Sequence, residues 1–343
     1  MNFVESPLLA VIAIVTVATV LALIRTVKRD RCLMHFHDYH VSLAEKDGTV
    51  TWGTVDVANS GLELFYPDSR RSPKGFWKRS VLFFKDQYES MDGIYRSTVG
   101  LSDEQCERRA RYLKRTANPG FLRRLWRQLR NWMGMIRDSV VQAVTLAIGA
   151  ARTRARPGVA VLTRDEEQVS TLSSEVVGHR GNAYDPILER HLFTRVIVQV
   201  TRHGVPHNYC GYLADYTKEF LEIVDAEVNS EDAHFEPHPL NVDDDSIDGI
   251  QISYEDDELV VTNETENMLL FKELLHDDRY IPIGAVLPVD FSARFRIGSD
   301  IDPHRVKVII AAAGRVDMLV PRSHAIVRHG VSALDESALE LPT

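Results

Sequence analysis

The chain contains few cysteines, and their spacing bears on the compartment in which it folds. Its three cysteines are Cys32, Cys106 and Cys210, and no two of them have the C-x-x-C spacing. An odd number of widely separated cysteines is atypical of a disulfide framework. A reducing compartment is the natural setting for such a chain.

The short motifs that mark common enzyme classes are missing as well. The sequence has no G-x-G-x-x-G after a strand, no P-loop, no G-x-S-x-G and no H-E-x-x-H. Cys210 has no basic partner nearby in the sequence, so a small core residue of a strand is the simpler interpretation. We therefore predict neither an enzyme active site nor a cofactor.

Charge is absent from residues 8–24, which form an apolar run. As a helix this run would be about 26 Å long, close to a hydrocarbon thickness of about 30 Å. Positive charge stays on the cytoplasmic side of a membrane, and four basic residues follow the run: Arg25, Lys28, Arg29 and Arg31. The sequence therefore predicts a single-pass anchor in the cell (inner) membrane. Its N-terminus would lie outside and the bulk of the chain in the cytoplasm.

Elsewhere the two signs of charge are segregated along the chain. Residues 108–156 contain thirteen Arg or Lys residues and one acid, whereas residues 225–278 contain eighteen acids and one Lys. Opposite blocks of this kind favour docking and set its register. They indicate head-to-tail contact between neighbouring copies of the chain.

Two regions have the short apolar runs and turn signals that are typical of β-strands, residues 33–100 and residues 185–332. In both, a polar strand leads into a Gly-containing turn and then a strand with acidic and aromatic residues, although no close internal repeat is visible. The short helix and bent strands at 185–228 resemble small Sm-type barrels in outline. That resemblance concerns the fold and implies nothing about RNA.

The predicted fold class is α+β and membrane-anchored. It combines one N-terminal transmembrane helix with two small, mostly antiparallel β modules, barrel- or sandwich-like, joined by a basic amphipathic helical region. The predicted boundaries are 1–31 for the anchor, 32–100 for the first β module, 101–157 for the basic helical region, 158–184 for a helical linker, 185–332 for the second β module with an acidic insertion at about 229–248, and 333–343 for a tail.

The helix predicted at 121–151 carries an apolar stripe flanked by Trp and Arg residues. Trp rings suit the headgroup depth of a bilayer, and guanidinium groups bind lipid phosphates. We interpret it as a helix on the membrane surface in contact with anionic headgroups. Packing on a neighbouring protein is the alternative, and the wide apolar face disfavours nucleic acid. The predicted membrane-surface residues are Arg123, Arg124, Trp126, Arg127, Arg130, Trp132 and Arg137.

Two clusters are weak candidates for a metal site. The calcium-loop spacing D-x-S-x-D-G-x₅-E is matched by Asp244, Ser246, Asp248 and Glu255. A strand-like run follows this loop where an EF-hand has a helix, so a solvated acidic turn is the simpler interpretation. The second cluster is His35, His37 and His40, but on a strand His40 would point away from the other two.

These features together predict a scaffold or assembly subunit, membrane-anchored and oligomeric, that forms a homo-oligomer or part of a larger membrane complex. Its β modules would present edges and loops to other subunits. The first alternative is a regulatory or gating subunit of a channel or transporter. The second is a membrane-bound enzyme that depends on a metal.

Overall fold

A computed structural model describes residues 29–71, 76–117, 185–202, 204–229, 237–242, 247–255, 258–277, 279–297 and 302–329. The chain divides into two units, of which one joins Arg29–Ala117 to Arg190–Thr343. We call this unit the β body. Of the other unit, Met1–Lys28 with Asn118–Glu189, the described residues are 185–189. There the order Asp185-Pro186 predicts an N-cap followed by Pro at the first helical position. The Asp185 carboxylate accepts hydrogen bonds from the backbone of Ile187 and Leu188, which confirms this cap.

The predicted α+β membrane-anchored fold class is wrong. Strands hold 59% of the described residues and helices 16%. Within the described ranges, no helix combines the length and the apolar character needed to cross a bilayer. The predicted single-pass membrane localisation is therefore wrong as well. The segment 8–24, on which that prediction was based, lies outside the described residues.

The first half of the β body is a five-stranded module that follows one turn of helix. Asp30 caps this helix, α1, by accepting a hydrogen bond from the Leu33 backbone. A 3₁₀ helix, Lys85–Ser90, joins the last two strands. The elements of this first module are α1 (Arg31–Met34), β1 (His40–Glu45), β2 (Thr49–Val57), β3 (Gly61–Arg71), β4 (Trp77–Phe84) and β5 (Met91–Ser97). They pair in the order β4-β3-β2-β1-β5, all antiparallel.

The helix α2 (Asp103–Ala117) follows β5. Ser102 and Gln105 form the capping box that their spacing predicts, because each side chain bonds the backbone N–H of the other residue. The longer basic helix predicted at 121–151 lies outside the described residues.

A second five-stranded module is built from segments far apart in the sequence. Along the chain it follows a short helix, α3 (Pro186–Arg190). Its strands are β6 (Arg195–Arg202), β7 (Val205–Tyr216), β8 (Phe220–Glu227), β16 (Val316–Pro321) and β17 (Ala325–His329). Their order in the sheet, β16-β8-β7-β6-β17, is the order of the first module strand for strand.

The two modules also agree in backbone detail. Asp38 and Phe193, two residues before β1 and β6, both have positive φ, 63° and 61°. The N–H of Asp38 donates to the carbonyl of Val55, as that of Phe193 does to Leu213. A glycine stands two residues before each of these acceptors, Gly53 in β2 and Gly211 in β7. The coarse similarity seen between the two sequences is therefore a structural repeat. We call residues that hold the same place in the two modules equivalent.

Seven further strands form an insert between β8 and β16. They are β9 (His238–Asn241), β10 (Ile250–Glu255), β11 (Glu258–Asn263), β12 (Leu269–His276), β13 (Arg279–Leu287), β14 (Phe291–Arg296) and β15 (Val306–Ala312), and Pro303–Arg305 forms a 3₁₀ helix before β15. One sheet of four strands has the order β13-β12-β15-β9, and β10, β11 and β14 extend the main sheet through a parallel pairing of β14 with β2.

The insert packs on the first module through an aromatic cluster. The Trp52 ring lies 6.4 Å from that of Phe271 and 6.3 Å from that of Phe295, centroid to centroid. The N–H of Val286 donates to the buried Ser42 hydroxyl over 2.7 Å. The strands of both predicted β modules therefore belong to a single body, and thirteen of them form one hydrogen-bonded sheet. The predicted domain boundaries stay predictions.

Candidate functional site

The two modules are joined edge to edge by the pairing of β5 with β16. Ile94 lies opposite Leu319, and Arg96 lies opposite Asp317. Leu319 is fully buried, and its side chain belongs to the hydrophobic core of the first module. The joint is therefore both a shared ladder of strands and a shared core, and we refer to it as the intermodule joint.

A buried ion cluster crosses the intermodule joint at Asp317. This carboxylate accepts hydrogen bonds from Arg96 over 2.6 and 3.2 Å and from Arg109 of α2 over 2.6 and 2.8 Å. Arg109 also binds Asp225, on β8. Arg96 and Asp317 are 1% and 0% exposed, so their attraction is little screened by solvent. Arg109 comes from the basic block and Asp225 from the acidic block, and they meet within one chain.

Burial alone would raise the pKa of the Asp317 carboxyl. The hydrogen bond from Arg109, together with the positive charges of Arg96 and Arg109, outweighs burial and holds that pKa below its ordinary value. The carboxylate is therefore ionised at neutral pH. A buried carboxylate that accepts four hydrogen bonds from two guanidinium groups is satisfied, and it serves to fix the two modules in one register.

A second buried pair crosses the intermodule joint at its other end. Arg202 of β6 forms a bidentate bond with Asp92 of β5, at 2.8 and 3.0 Å. The same guanidinium donates to the hydroxyls of Tyr95 and Tyr209, at 2.8 and 2.6 Å. Burial raises the pKa of both tyrosines, which keeps them neutral. Planar, bidentate bonding of this kind is specific to arginine.

A third contact joins α1 and α2 to β8. His35 Nδ1 lies 2.7 Å from a carboxylate oxygen of Glu222, and the Tyr112 hydroxyl donates to the same oxygen over 2.9 Å. The His35 and Tyr112 rings are 4.0 Å apart. Glu222 is fully buried, and burial raises its pKa, although the charge and hydrogen bond of His35 act against that rise. Arg31 binds Asp215 nearby, at 3.2 Å.

The outer strands of the repeat, β4 in the first module and β17 in the second, each pair with only one other strand within the described residues. At the end of the first module, β4 pairs with β3, and at the end of the second, β17 pairs with β6. A shallow pocket lies along β4 and β3. Its lining includes Asp56, Glu63, Leu82 and Phe84.

The predicted membrane-surface residues lie outside the part of the chain that the structure describes, and so do Asp244 and Ser246 of the predicted calcium loop. Asp248 is exposed beside Gly249, whose φ is 80°, and Glu255 ends strand β10. A strand follows the loop, as its sequence indicates. The lipid and calcium sites both stay predictions.

The three histidines of the predicted cluster have different neighbours. His35 contacts Glu222, His37 lies 3.3 Å from Asp56, and the ring of His40 lies under Gly284. Among the described residues, no group of three or more His, Cys, Asp or Glu side chains is arranged to hold a metal ion.

Sequence reasoning did not identify the charged residues of the intermodule joint. Asp317 is the one charge in the apolar run Val316-Asp-Met-Leu-Val, and β5 carries two charges among its apolar residues, Asp92 and Arg96. A charge within an apolar strand is the available signal, because a buried charge needs a partner. The partner could not be named, since it lies more than two hundred residues away.

Comparison with known proteins adds no assignment, because no protein-family model, no curated protein and no solved structure matches the chain.

Proposed function

We propose that this protein is an assembly subunit, which forms larger structures by adding β modules edge to edge. The observation that carries the proposal is the intermodule joint. Within one chain, two modules with the same strand order are already joined through an edge strand of each. A fold that repeats such a unit carries the same kind of edge at its two outer ends. Strand addition at an open edge is a common mode of association, because the backbone supplies the hydrogen bonds.

The buried charges support a structural role for the joint over a catalytic one. The carboxylates of Asp92 and Asp317 each bind a guanidinium group and a further donor. Groups held in this way fix orientation and register, since breaking any one of them leaves a charge buried without its partner.

The mass of the intact full-length chain in solution tests the proposal. One chain has a mass of 38.8 kDa. We expect light scattering after gel filtration, or native mass spectrometry, to give multiples of that mass that grow with concentration. A contact with a Kd of about 1 μM would be largely formed at about 100 μM. A protein that stays at the mass of one chain up to that concentration would contradict the proposal.

A further inference from the structure

The two outer ends of the repeat correspond to the two sides of the intermodule joint. By position in the repeat, β4 is equivalent to β16 and β17 is equivalent to β5. We propose that β17 of one copy pairs with β4 of a second copy, so that the intermodule joint is repeated between chains. This inference rests on the proposed function and names the surface and the partner, a second copy of this chain.

Among the described residues, no strand pairs with the outer edge of β4, the edge that β16 uses to pair with β5, although the Phe84 N–H on that edge donates to the Gln87 side chain. Lys85 N donates to Ser60 O, and Arg322 N donates to Glu219 O at the equivalent place. Bonded and non-bonded pairs alternate along antiparallel strands. Three residues earlier, Leu82 and Leu319 therefore both direct their N–H and C=O groups away from the preceding strand. Leu319 directs them toward β5, and Leu82 directs them toward the open edge.

Apolar exposure at the β4 edge matches burial at the joint. Leu82 is 57% exposed, whereas the equivalent Leu319 is 0% exposed because it enters the core of the first module beside Ile94. Phe84 is 50% exposed, and the equivalent Pro321 is buried. An exposed Leu and Phe on an edge strand are a liability unless another strand covers them.

The two outer ends of the repeat carry a carboxylate and a basic side chain at the places that Glu222 and His35 occupy at the intermodule joint. Glu63, opposite Asp56, is equivalent to Glu222, opposite Asp215. At the intermodule joint, Glu222 contacts His35, which lies three residues before Asp38. Phe193 is equivalent to Asp38, so the residue equivalent to His35 is Arg190.

Arg190 is exposed at one end of the repeat, and Glu63 is partly exposed at the other. A second copy docked as at the joint would bring Arg190 to Glu63, a pair of opposite charges.

The repeat also fixes the register and the strength of the contact. Ile94, opposite Leu43 on β1, is equivalent to Val327, opposite Val198 on β6. Leu82 of one copy therefore lies opposite Val327 of the next. Ser80 takes the place of Asp317, counted back from Lys85 and Arg322. The contact between copies thus lacks the buried carboxylate, so we expect it to be weaker than the intermodule joint and to form reversibly. Because two different edges meet, the contact is heterologous and builds a ring or an open filament.

Substitutions that introduce or reverse a charge in the full-length chain test this contact. We expect Leu82→Lys, Glu63→Arg and Arg190→Glu each to weaken self-association by at least about tenfold, measured by sedimentation velocity over a dilution series. The double variant Glu63→Arg with Arg190→Glu should recover most of that loss. Tyr280→Lys is the matched control, because Tyr280 is an exposed large side chain on the insert and should leave association unchanged. Circular dichroism melts check that each variant is folded.

A cysteine pair gives a second, direct readout. Residues opposite each other on antiparallel strands have Cα atoms about 4.5–5.5 Å apart, within the range of a disulfide. With Cys106 and Cys210 changed to Ser, oxidation of Leu82→Cys with Val327→Cys should give a ladder of crosslinked chains. Leu82→Cys with Tyr280→Cys should give none.

The outcomes separate the two proposals. If the wild-type protein assembles but the charge variants do not alter its mass and no ladder forms, the named contact is wrong and the proposed function stands. If the wild-type protein remains at the mass of one chain, both proposals fail.

Discussion

Arg96 on β5 and Asp317 on β16 lie opposite each other and form a buried ion pair of 2.6 Å, 221 residues apart in the sequence. The pair ties the last strand of the first module to a strand that the chain reaches only after the second module's first three strands and the insert. It also lies beneath Phe36 and Tyr39, whose rings are 4.4 and 4.2 Å from the Arg96 guanidinium. The joint therefore depends on charge and aromatic packing at one point.

Removal of the Asp317 charge should weaken the whole β body. In Asp317→Asn, the guanidinium groups of Arg96 and Arg109 lose their common partner, and Arg96 stays buried. Breaking a buried pair in this way costs about 3–5 kcal/mol of unfolding free energy. Urea denaturation followed by tryptophan fluorescence measures it. Asp277→Asn is the control, because its partner Arg305 is well exposed and exposed pairs contribute about 0–1 kcal/mol. Equal losses in the two variants would contradict a special role for the joint.

The contribution of Asp317 should also depend on pH in one direction. Its pKa in the folded protein is lowered, so its ionised form is stabilised by folding. That stability is fully present above the ordinary aspartate value of 3.8 and is lost as the pH falls below it, through the folded pKa. We expect the difference in unfolding free energy between wild type and Asp317→Asn to be constant at neutral pH and to shrink in the acidic range. A difference that grew on acidification would show that the sign is wrong.

Glu222 should show the opposite dependence, because burial raises its pKa. A carboxyl whose folded pKa is raised contributes most when protonated, and that contribution falls as the pH rises through the folded pKa. Glu222→Gln keeps an acceptor for the Tyr112 hydroxyl and removes the buried charge. We expect the variant to lose less stability than wild type when the pH is raised from the acidic range to neutrality. The same denaturation series measures it, and a parallel pH dependence of the two proteins would contradict the expectation.

Local features of this fold are predictable from the sequence where neighbouring residues decide them. The Ser102–Gln105 capping box, the cap at Asp185 and strands such as β1 and β2 are examples, because caps, turns and alternation act within a few residues. The similarity around Gly53 and Gly211 is also visible in the sequence, since the close approach of the neighbouring strand leaves no room for a Cβ atom at either position.

The pairing of strands across the chain was not predictable by the same means. Alternation in Met91–Ser97 marks a face of the sheet, but it does not say that the neighbour at the edge is Val316–Pro321. The insert hides the repeat as well, because it separates β8 from β16 while the first module joins the equivalent strands by a short connection. Buried Arg96 and Asp317 could be assigned to a joint only after that topology was known.

The two equivalent glycines should be intolerant of any side chain. A Cβ atom on Gly53 would lie 2.0 Å from the carbonyl oxygen of Phe65, and one on Gly211 would lie 2.7 Å from Ile223 and 2.9 Å from the Cα of Ala226. Because backbone atoms cannot move aside without breaking the ladder, Gly53→Ala and Gly211→Ala should each cost more than about 2 kcal/mol.

Gly314→Ala is the matched control for these substitutions. Nothing lies within 4 Å of its added Cβ, and its φ is not in the left-handed region. Thermal melts of the three variants measure the effect. If Gly53→Ala melts as Gly314→Ala does, the close approach of β2 and β3 is not needed.

The reactivity of Cys32 should report whether the intermodule joint is closed. Cys32 is fully buried on α1, a helix that contacts β7 and β8 of the second module. Burial raises the pKa of its thiol, and the nearby charges of Asp215 and Glu222 raise it further. Because the thiolate is the reactive form, Cys32 should react with a thiol reagent at least about 100-fold more slowly than exposed Cys106. Asp317→Asn should accelerate Cys32 and leave Cys106 unchanged, because opening of the joint exposes only the buried thiol. Mass spectrometry of labelled peptides distinguishes the two sites, and a Cys32 that reacts as fast as Cys106 in the folded wild type would mean that the joint opens freely.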